Sequence, residues 1–212
     1  MNINFEELSN KLQSISPAIP SKDNSGSKPS SVIVPLYKKE NSIHVILTKR
    51  TEHLKSHPGQ ISFPGGMYHE EDGALYETAL REWEEEMGVS RDCLKLIGEY
   101  KSFITRTGYK ITPFICEYLG DFSFKTSVDE VDYCIFFELE DFNKLPFYSF
   151  KANDLVIKQV YYLDHSLGLL WGATCEIMVN LIKDFFNFQR EPEYVRPNLI
   201  IPPFFKPPSY KK

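Results

Sequence analysis

The sequence predicts an α+β domain in which a mixed β-sheet lies between helices. The chain has 212 residues, enough for one domain with a full core. Its hydrophobic content of 42% and charged content of 25% are typical of a globular protein. Strand-like segments are interspersed with three segments of helical period, and no internal repeat is visible. The expected organisation is a helix and linker over 1–30, a main domain over 31–190 and a proline-rich tail over 191–212.

The N-terminal part is expected to contain a helix, a linker and two strands. Phe5, Leu8 and Leu12 recur at helical spacing, which predicts a short amphipathic helix. A stretch rich in Ser, Pro and Gly follows, and then two apolar runs separated by the polar turn KKENS. The predicted elements are a helix over 3–14, a linker over 16–31 and strands over 31–37 and 43–50.

A long loop and a second helix come next. Residues 51–72 show no clean period and contain several prolines and glycines, which predicts a loop, and loops of this length are usually functional or disordered. The helix is predicted over 73–87. Asp72 is its expected N-cap, and Gly88 stands where a glycine stop is expected.

The C-terminal half is expected to supply most of the remaining sheet. Strands are predicted over 94–104, 109–118, 131–138 and 155–163. The segment 168–186 alternates apolar and polar residues at helical period, which predicts a long packed helix. The proline-rich segment 197–212 cannot be helical.

Charge and composition exclude several classes of function. The net charge of −5 offers no basic field for nucleic acid, and no apolar run approaches the roughly 20 residues that span a bilayer. No secretory signal is visible, so a cytoplasmic protein is expected. The four cysteines lack a CxxC pair and are expected to be reduced and mostly buried: Cys93, Cys116, Cys134 and Cys175.

The segment LREWEEEMGV (80–89) raises the functional question. Glu82, Glu85 and Glu86 share one helical face. The opposite face carries apolar residues expected to pack on the core: Tyr76, Leu80, Trp83 and Met87. The three carboxylates are either a solvated acidic surface or a site for a hard divalent cation.

The segment GGMYHEEDGALYETALREWEEEMGV resembles the Nudix box, a loop–helix motif for hydrolysing diphosphates linked to another moiety. The fixed positions of its second half are matched by Arg81, Glu82, Trp83, Glu85, Glu86, Gly88 and Val89. The first half departs from the motif, because Gly73 stands where a glutamate is usual. Asp72 lies one place early, so the loop is one residue longer than the common form.

A second block, ILTKRTEHLKSHPGQISFPGG (46–66), resembles the signature of coenzyme A diphosphatases within the Nudix superfamily. Lys55 replaces an arginine that is usual there; it keeps the charge and loses the bidentate fork. Three later segments, TGYKITPF, SVDEV and LLWGATCEI, are also similar to that subfamily. The resemblance covers roughly residues 31–187.

This resemblance implies the Nudix fold, an α/β/α sandwich, and a hydrolase that uses Mg²⁺ or Mn²⁺. Glu82 and Glu86 would be the main metal ligands, with Glu85 as a supporting ligand and catalytic candidate. Arg81 would orient the glutamates or the loop through charged hydrogen bonds. Glu130, in the SVDEV loop, is the candidate base, and the alternative is an exposed acid without a role.

The implied substrate is coenzyme A or an acyl thioester, cleaved to 3′,5′-ADP and 4′-phosphopantetheine or its acyl form. Arg50, Lys55 and His57 would bind its phosphates, including the ribose 3′-phosphate; the alternative is a solvated basic loop. Gly65 and Gly66 would let the backbone approach the phosphates. Two aromatic residues are candidates to stack on adenine or line a pantetheine channel, and core packing is their alternative role: Tyr109 and Trp171.

Two other functions are kept open. A related enzyme would cleave another nucleoside diphosphate derivative, such as ADP-ribose or a dinucleotide. A non-catalytic Nudix module would only bind a nucleotide, but loss of Glu82 or Glu86 would be expected there and both are present. The partner is in each case a small molecule, with no nucleic acid or membrane, and the sequence leaves open whether the chain acts as a monomer or a homodimer.

Overall fold

The computed structural model describes residues 4–15, 26–105, 107–151 and 159–194 of the chain. The helices are α1 Phe5–Ile15, α2 Leu75–Met87, α3 Asp141–Lys144 and α4 Gly172–Phe185. The strands of the first half are β1 Lys28–Lys39, β2 Ser42–Arg50, β3 Ile61–Ser62, β4 Gly65–Met67, β5 Leu94–Glu99 and β6 Phe103–Ile104. The strands of the second half are β7 Tyr109–Tyr118, β8 Val131–Glu138, β9 Phe147–Lys151, β10 Gln159–His165, β11 Gly168–Trp171 and β12 Glu193–Tyr194.

The main sheet is mixed and has eight strands, with the central order β3-β2-β1-β7-β5. The neighbours β1 and β7 run parallel, whereas β1 and β2 form an antiparallel hairpin. Off this path, β4 pairs with β1, β6 with β7 and β8 with β2. A second sheet of four strands has the order β11-β10-β9-β12.

The central strand β1 carries two cores because successive side chains of a strand point to opposite faces. Ile33 and Tyr37 pack with α2, whereas Val34 and Leu36 pack with α1 and α4. Leu8 of α1 is fully buried in this second core. The sheet is therefore covered by helices on both faces, which confirms the predicted α+β fold with an α/β/α sandwich.

The helix α2 follows the sequence prediction closely, except at its start. Trp83 and Met87 are fully buried, as the apolar stripe predicts. Gly88 ends the helix in the left-handed conformation, with φ 62°. The prediction that Asp72 caps the helix is wrong: the N-cap position is Ala74, and Asp72 lies in a preceding 3-10 turn. Asp72 instead accepts hydrogen bonds from side chains of α2, described below.

Three predicted elements are corrected by the strand pairing that the structure shows. The loop over 51–72 contains β3 and β4, whose ladders to β2 and β1 are too short to leave a period in the sequence. The helix predicted over 168–186 begins only at Gly172, because the four preceding residues form β11 and pair with β10. The segment predicted as one strand over 94–104 forms two, β5 and β6.

Some of the predicted elements lie partly or wholly outside the residues that the structure describes. The strand predicted over 155–163 is seen as β10, and residues 155–158 lie outside the described part. The tail segment 197–212 and most of the predicted linker also lie outside it, and β1 begins three residues before the predicted strand. All four cysteines are free thiols. Within the described residues, no helix is long and apolar enough to cross a membrane.

Candidate active site

The glutamates of α2 differ sharply in exposure although they share one helical face. The Glu85 side chain is 60% exposed and the Glu82 side chain 14%. Glu86 is 3% exposed and lies among the buried residues of the helix. Glu84, off this face, pairs with Arg91 at 2.7 Å on the surface. A wholly solvated acidic face does not describe Glu82 and Glu86.

Arg81 forms hydrogen bonds both with Asp72, in the turn before α2, and with carboxylates of α2. Its Nε donates to Asp72 Oδ1 at 2.8 Å, and its Nη2 donates to Asp72 Oδ2 at 3.3 Å. Its Nη1 donates to Glu82 Oε1 at 2.9 Å and to Glu85 Oε2 at 3.0 Å. Thr78 Oγ1 donates to Asp72 as well, at 2.8 Å. This paired geometry fixes Arg81 and, through it, orients two of the three glutamates.

Asp72 is the anchor of that network. Its pKa lies well below the usual range because it accepts hydrogen bonds from Arg81, and despite some desolvation. Gly73 occupies the usual glutamate position, and the loop is one residue longer than the common form. Asp72 nevertheless places a carboxylate beside Arg81.

The two glycines of the FPGG segment, Gly65 and Gly66, lie so close to their neighbours that neither position has room for a side chain. Gly65 has φ 153°, and a Cβ there would meet the Ser31 carbonyl oxygen at 2.3 Å. Its backbone N–H donates a hydrogen bond to the Glu86 carboxylate. A Cβ on Gly66 would lie 2.3 Å from Glu82 Oε1. Glycine at both positions is what allows the loop to close over the carboxylates.

Electrostatics mark Glu86 as the most unusual carboxylate of the helix. Burial raises its pKa to about 8, the charges of Glu82 and Glu130 add to the rise, and Arg50 opposes it. Burial likewise raises the pKa of Glu82, and Arg81 opposes that rise. Both shifts include a contribution from Glu130, so the structure brings this exposed loop acid near the half-buried Glu82 and the buried Glu86.

The loop that carries Glu130 is tied to the end of α2. Ser127 N donates to the Glu86 carbonyl oxygen at 3.0 Å, and Glu130 N donates to the Ser127 carbonyl oxygen at 3.1 Å. Thr51 N in turn donates to the Glu130 carbonyl oxygen at 3.0 Å. The candidate base is thus held between α2 and the segment that follows β2.

The donor chemistry of this region fits a hard divalent cation. Glu86 Oε2 is buried and has no hydrogen-bond partner in the structure, and it lies beside other acids. A buried carboxylate that lacks a partner and faces like charges is costly, and a bound Mg²⁺ or Mn²⁺ reverses the sign of that cost. Within the described residues, no three His, Cys, Asp or Glu side chains already converge in metal-binding geometry. Two of the candidate ligands, Glu82 and Glu85, are turned towards Arg81.

A cavity of about 510 Å³ opens beside Gly65 and Gly66, whose segment is called the glycine loop from here on. Its walls come from β1, the segment 56–67, the β6–β7 hairpin and the start of α4. Four of the five predicted substrate-binding residues line it: Arg50, His57, Gly65 and Gly66. Lys55 is exposed and is not among the lining residues. Both aromatic candidates line it too: Tyr109 and Trp171.

Three buried polar atoms on the cavity wall have no hydrogen-bond partner in the structure. They are Ser31 Oγ, Arg50 Nε and Gln60 Nε2. All three can donate a hydrogen bond, and a buried donor left unpaired costs about 1–3 kcal/mol. A ligand rich in acceptor oxygens, such as a phosphate ester, would satisfy them together.

Some residues of the site were not predicted as such. Both Ser31 and Glu176 line the cavity. Ser31 lies in an ordinary strand segment, and Glu176 lies in the segment LLWGATCEI, in which only Trp171 was predicted to meet the substrate. Gln60 was noted only as part of the block resembling the diphosphatase signature.

Comparison with known proteins identifies relatives along most of the chain. A family model described as NUDIX domain matches residues 27–156. The uncharacterised Nudix hydrolase NudL of Yersinia enterocolitica is 30% identical over 141 residues, covering 65% of this chain and 71% of that protein. The uncharacterised NudL of Photorhabdus laumondii is 27% identical over 183 residues, covering 84% of this chain and 96% of that protein.

Solved structures with a similar course of the chain include two further proteins. An Ap4A hydrolase of C. elegans, solved as a binary complex, shares 18% identity and covers 54% of this chain and 83% of its own, with a TM-score of 0.46. The Nudix hydrolase RenU of M. smegmatis shares 14% identity and covers 57% of this chain and 76% of its own, with a TM-score of 0.47.

Proposed function

This chain belongs to the Nudix family, and from that premise we propose that it hydrolyses the diphosphate bond of coenzyme A or its acyl thioesters with Mg²⁺ or Mn²⁺. As a Nudix hydrolase it acts on the diphosphate of a nucleoside diphosphate derivative. The proposed products are 3′,5′-ADP and 4′-phosphopantetheine or its acyl form. The subfamily, the substrate and the residue roles below are the proposal.

One observation carries the proposal: the cavity with three unpaired donors adjoins the loop that touches Glu82 and Glu86. Gly65 lines the cavity and also donates to Glu86. A diphosphate held by the donors of the cavity wall would therefore lie next to the buried carboxylates. Part of this wall comes from the block that resembles the coenzyme A diphosphatase signature, which contributes Arg50, His57 and Gln60 besides the two glycines.

The metal, when bound, neutralises the phosphate charge and lowers the pKa of the attacking water. Glu82 and Glu86 would hold it, with Glu85 in support. Arg81 is already paired with two of these carboxylates and with Asp72, so its role is to position ligands. Gly65 and Gly66 would let the backbone approach the phosphates, because neither carries a side chain.

Glu130 is the proposed general base. It is exposed to solvent and lies near enough to Glu82 and Glu86 to raise the pKa of both. A base in that place can take a proton from a water molecule that approaches the diphosphate from outside the helix.

The basic residues divide between two phosphate subsites. Arg50 contributes to the pKa of Glu86 and lines the cavity, so it serves the scissile diphosphate. Lys55 is exposed and lies outside the cavity wall, and His57 lies in the same segment with its Nδ1 3.1 Å from Gln60 Oε1. These two are proposed to meet the ribose 3′-phosphate at the rim. Tyr109 and Trp171 form walls along the bound substrate.

A hydrolysis panel tests the proposal. Coenzyme A, acetyl-coenzyme A, ADP-ribose and a diadenosine polyphosphate are each incubated with the full chain, with Mn²⁺ or with a chelator, and the products are identified by mass. We expect metal-dependent release of 3′,5′-ADP with the highest kcat/KM for a coenzyme A compound. A higher kcat/KM for ADP-ribose or the dinucleotide would show that this compound, and not coenzyme A, is the preferred substrate. Tight binding without turnover of any compound would indicate a non-catalytic module.

A further inference from the structure

One acid in the cavity takes no part in the proposed mechanism. Of the described residues that line the cavity, Glu176 is the one acidic side chain. It lies on the second turn of α4, where Ala173, Glu176 and Ile177 share one face at spacings of three and four residues and all line the cavity. The placement of Glu176 towards the cavity therefore follows from the helix geometry.

Glu176 is half-buried in the cavity wall. Burial raises its pKa. Its carboxylate accepts no hydrogen bond from the part of the chain that the structure describes. The surrounding cavity wall is largely apolar and includes Phe103, Val160 and Ile177.

We propose that Glu176 is a specificity-determining residue for the arm of the substrate beyond the diphosphate. Its carboxylate accepts hydrogen bonds from N–H and O–H groups of that arm and rejects arms that end in a carboxylate. The inference rests on the proposed function, because a pantetheine arm carries one hydroxyl and two amide N–H groups. These are the donors that a partly buried acceptor requires.

The rejection of anionic arms follows from the same placement. A substrate carboxylate inside this cavity would stand near Glu176 in a partly desolvated region, where like charges repel more strongly than in water. Among the described residues that line the cavity, the basic ones are Arg50 and His57, and the proposed function places both at phosphates of the substrate. Neutral acyl groups of equal length meet no such repulsion.

The test compares two thioesters with four-carbon acyl groups. For butyryl-coenzyme A against succinyl-coenzyme A, we expect the wild type to favour the neutral acyl group in kcat/KM by about tenfold or more. Glu176→Gln keeps the size and an acceptor oxygen but removes the charge, so it brings the two values close together. Glu193→Gln, the same change on the exposed strand β12 away from the cavity, leaves the ratio unchanged.

A binding measurement separates specificity from a fold defect. By calorimetry, Glu176→Leu should weaken 4′-phosphopantetheine by about fivefold or more, because the acceptor is lost. It should leave 3′,5′-ADP binding unchanged, since that product has no arm. Equal wild-type use of both thioesters, or an unchanged ratio in Glu176→Gln, would overturn this inference alone. Failure to hydrolyse coenzyme A and all of its thioesters would overturn the proposed function and this inference with it.

Discussion

At the scale of the residue, Glu86 shows what sequence can and cannot predict. Its type, its helical face and its match to the Nudix box were all readable from the sequence. Its burial was not, because burial depends on Gly65, which is 21 positions earlier, and on the loop that carries Glu130. Likewise, the position of Asp72 before an apolar period is typical of a helix cap, whereas its hydrogen bond with Arg81 arises from tertiary contact.

The raised pKa of Glu86 leads to a prediction about stability in a chelator. The folded-state pKa of about 8 exceeds the ordinary carboxyl value, so the folded state binds the proton more tightly than the unfolded chain. The stability that results is fully present below about pH 4.5 and is lost as the pH rises through 8. Glu86→Gln removes this loss. The variant should therefore gain about 4 kcal/mol in free energy of unfolding, relative to wild type, between pH 5 and pH 9.

Urea denaturation in a chelator at both pH values measures this gain. Glu85→Gln is the matched control, because Glu85 is largely exposed and its substitution should show no comparable dependence on pH. A difference between Glu86→Gln and wild type that is the same at pH 5 and pH 9 would refute the burial argument.

At the scale of the element, α2 was the most predictable part of the chain because its stripe, its stop and its motif agree. The elements that sequence missed owe their form to partners. The apolar residues of β11 continue the helical period of the segment that follows. The strand nevertheless pairs with β10, because the hydrogen bonds of the ladder outweigh the local propensity. β3 and β4 have two and three residues, too few for an alternating pattern to show.

The metal site on α2 predicts a selective response to Mn²⁺. A cation that binds the native state better than the unfolded chain stabilises the fold, by about 2.7 kcal/mol at a hundredfold excess over Kd. Glu82→Gln should reduce the metal-induced rise in Tm, since it removes a ligand charge. Glu84→Gln should leave the rise intact, because Glu84 is turned to Arg91 on the surface. Thermal melts with and without Mn²⁺ check this, and equal rises in all three proteins would place the cation elsewhere.

At the scale of the whole molecule, the cavity is a product of topology. Parallel pairing of β1 with β7 brings the β6–β7 hairpin beside the glycine loop, and the contact of β11 with β3 brings the start of α4 to the same place. These pairings join segments that are about a hundred residues apart, and no local pattern encodes them. The motif residues of the site were therefore predictable, whereas the wall contributed by Ser31 was not. For Glu176, the segment LLWGATCEI indicated the subfamily but not a place in the cavity.

The assignment of two phosphate subsites makes a prediction about discrimination. Removal of the ribose 3′-phosphate from coenzyme A should lower kcat/KM in the wild type. Lys55→Ala should shrink that difference. The substitution and the removal of the phosphate each abolish the same interaction, so their effects on kcat/KM do not add. Arg50→Ala should lower kcat/KM for both substrates by a similar factor and preserve the difference. Kinetics with coenzyme A and 3′-dephospho-coenzyme A decide this; a difference that shrinks only in Arg50→Ala would reverse the two assignments.

The central claim is that the buried carboxylates of α2 act on a diphosphate held in the adjoining cavity. Its most direct test is Glu86→Gln, assayed for kcat at saturating Mn²⁺ with the best substrate of the panel and for binding of 3′,5′-ADP. Loss of a principal metal ligand should lower kcat by at least about two orders of magnitude, while the cavity keeps its affinity for the nucleotide product. A kcat close to that of the wild type would contradict the claim.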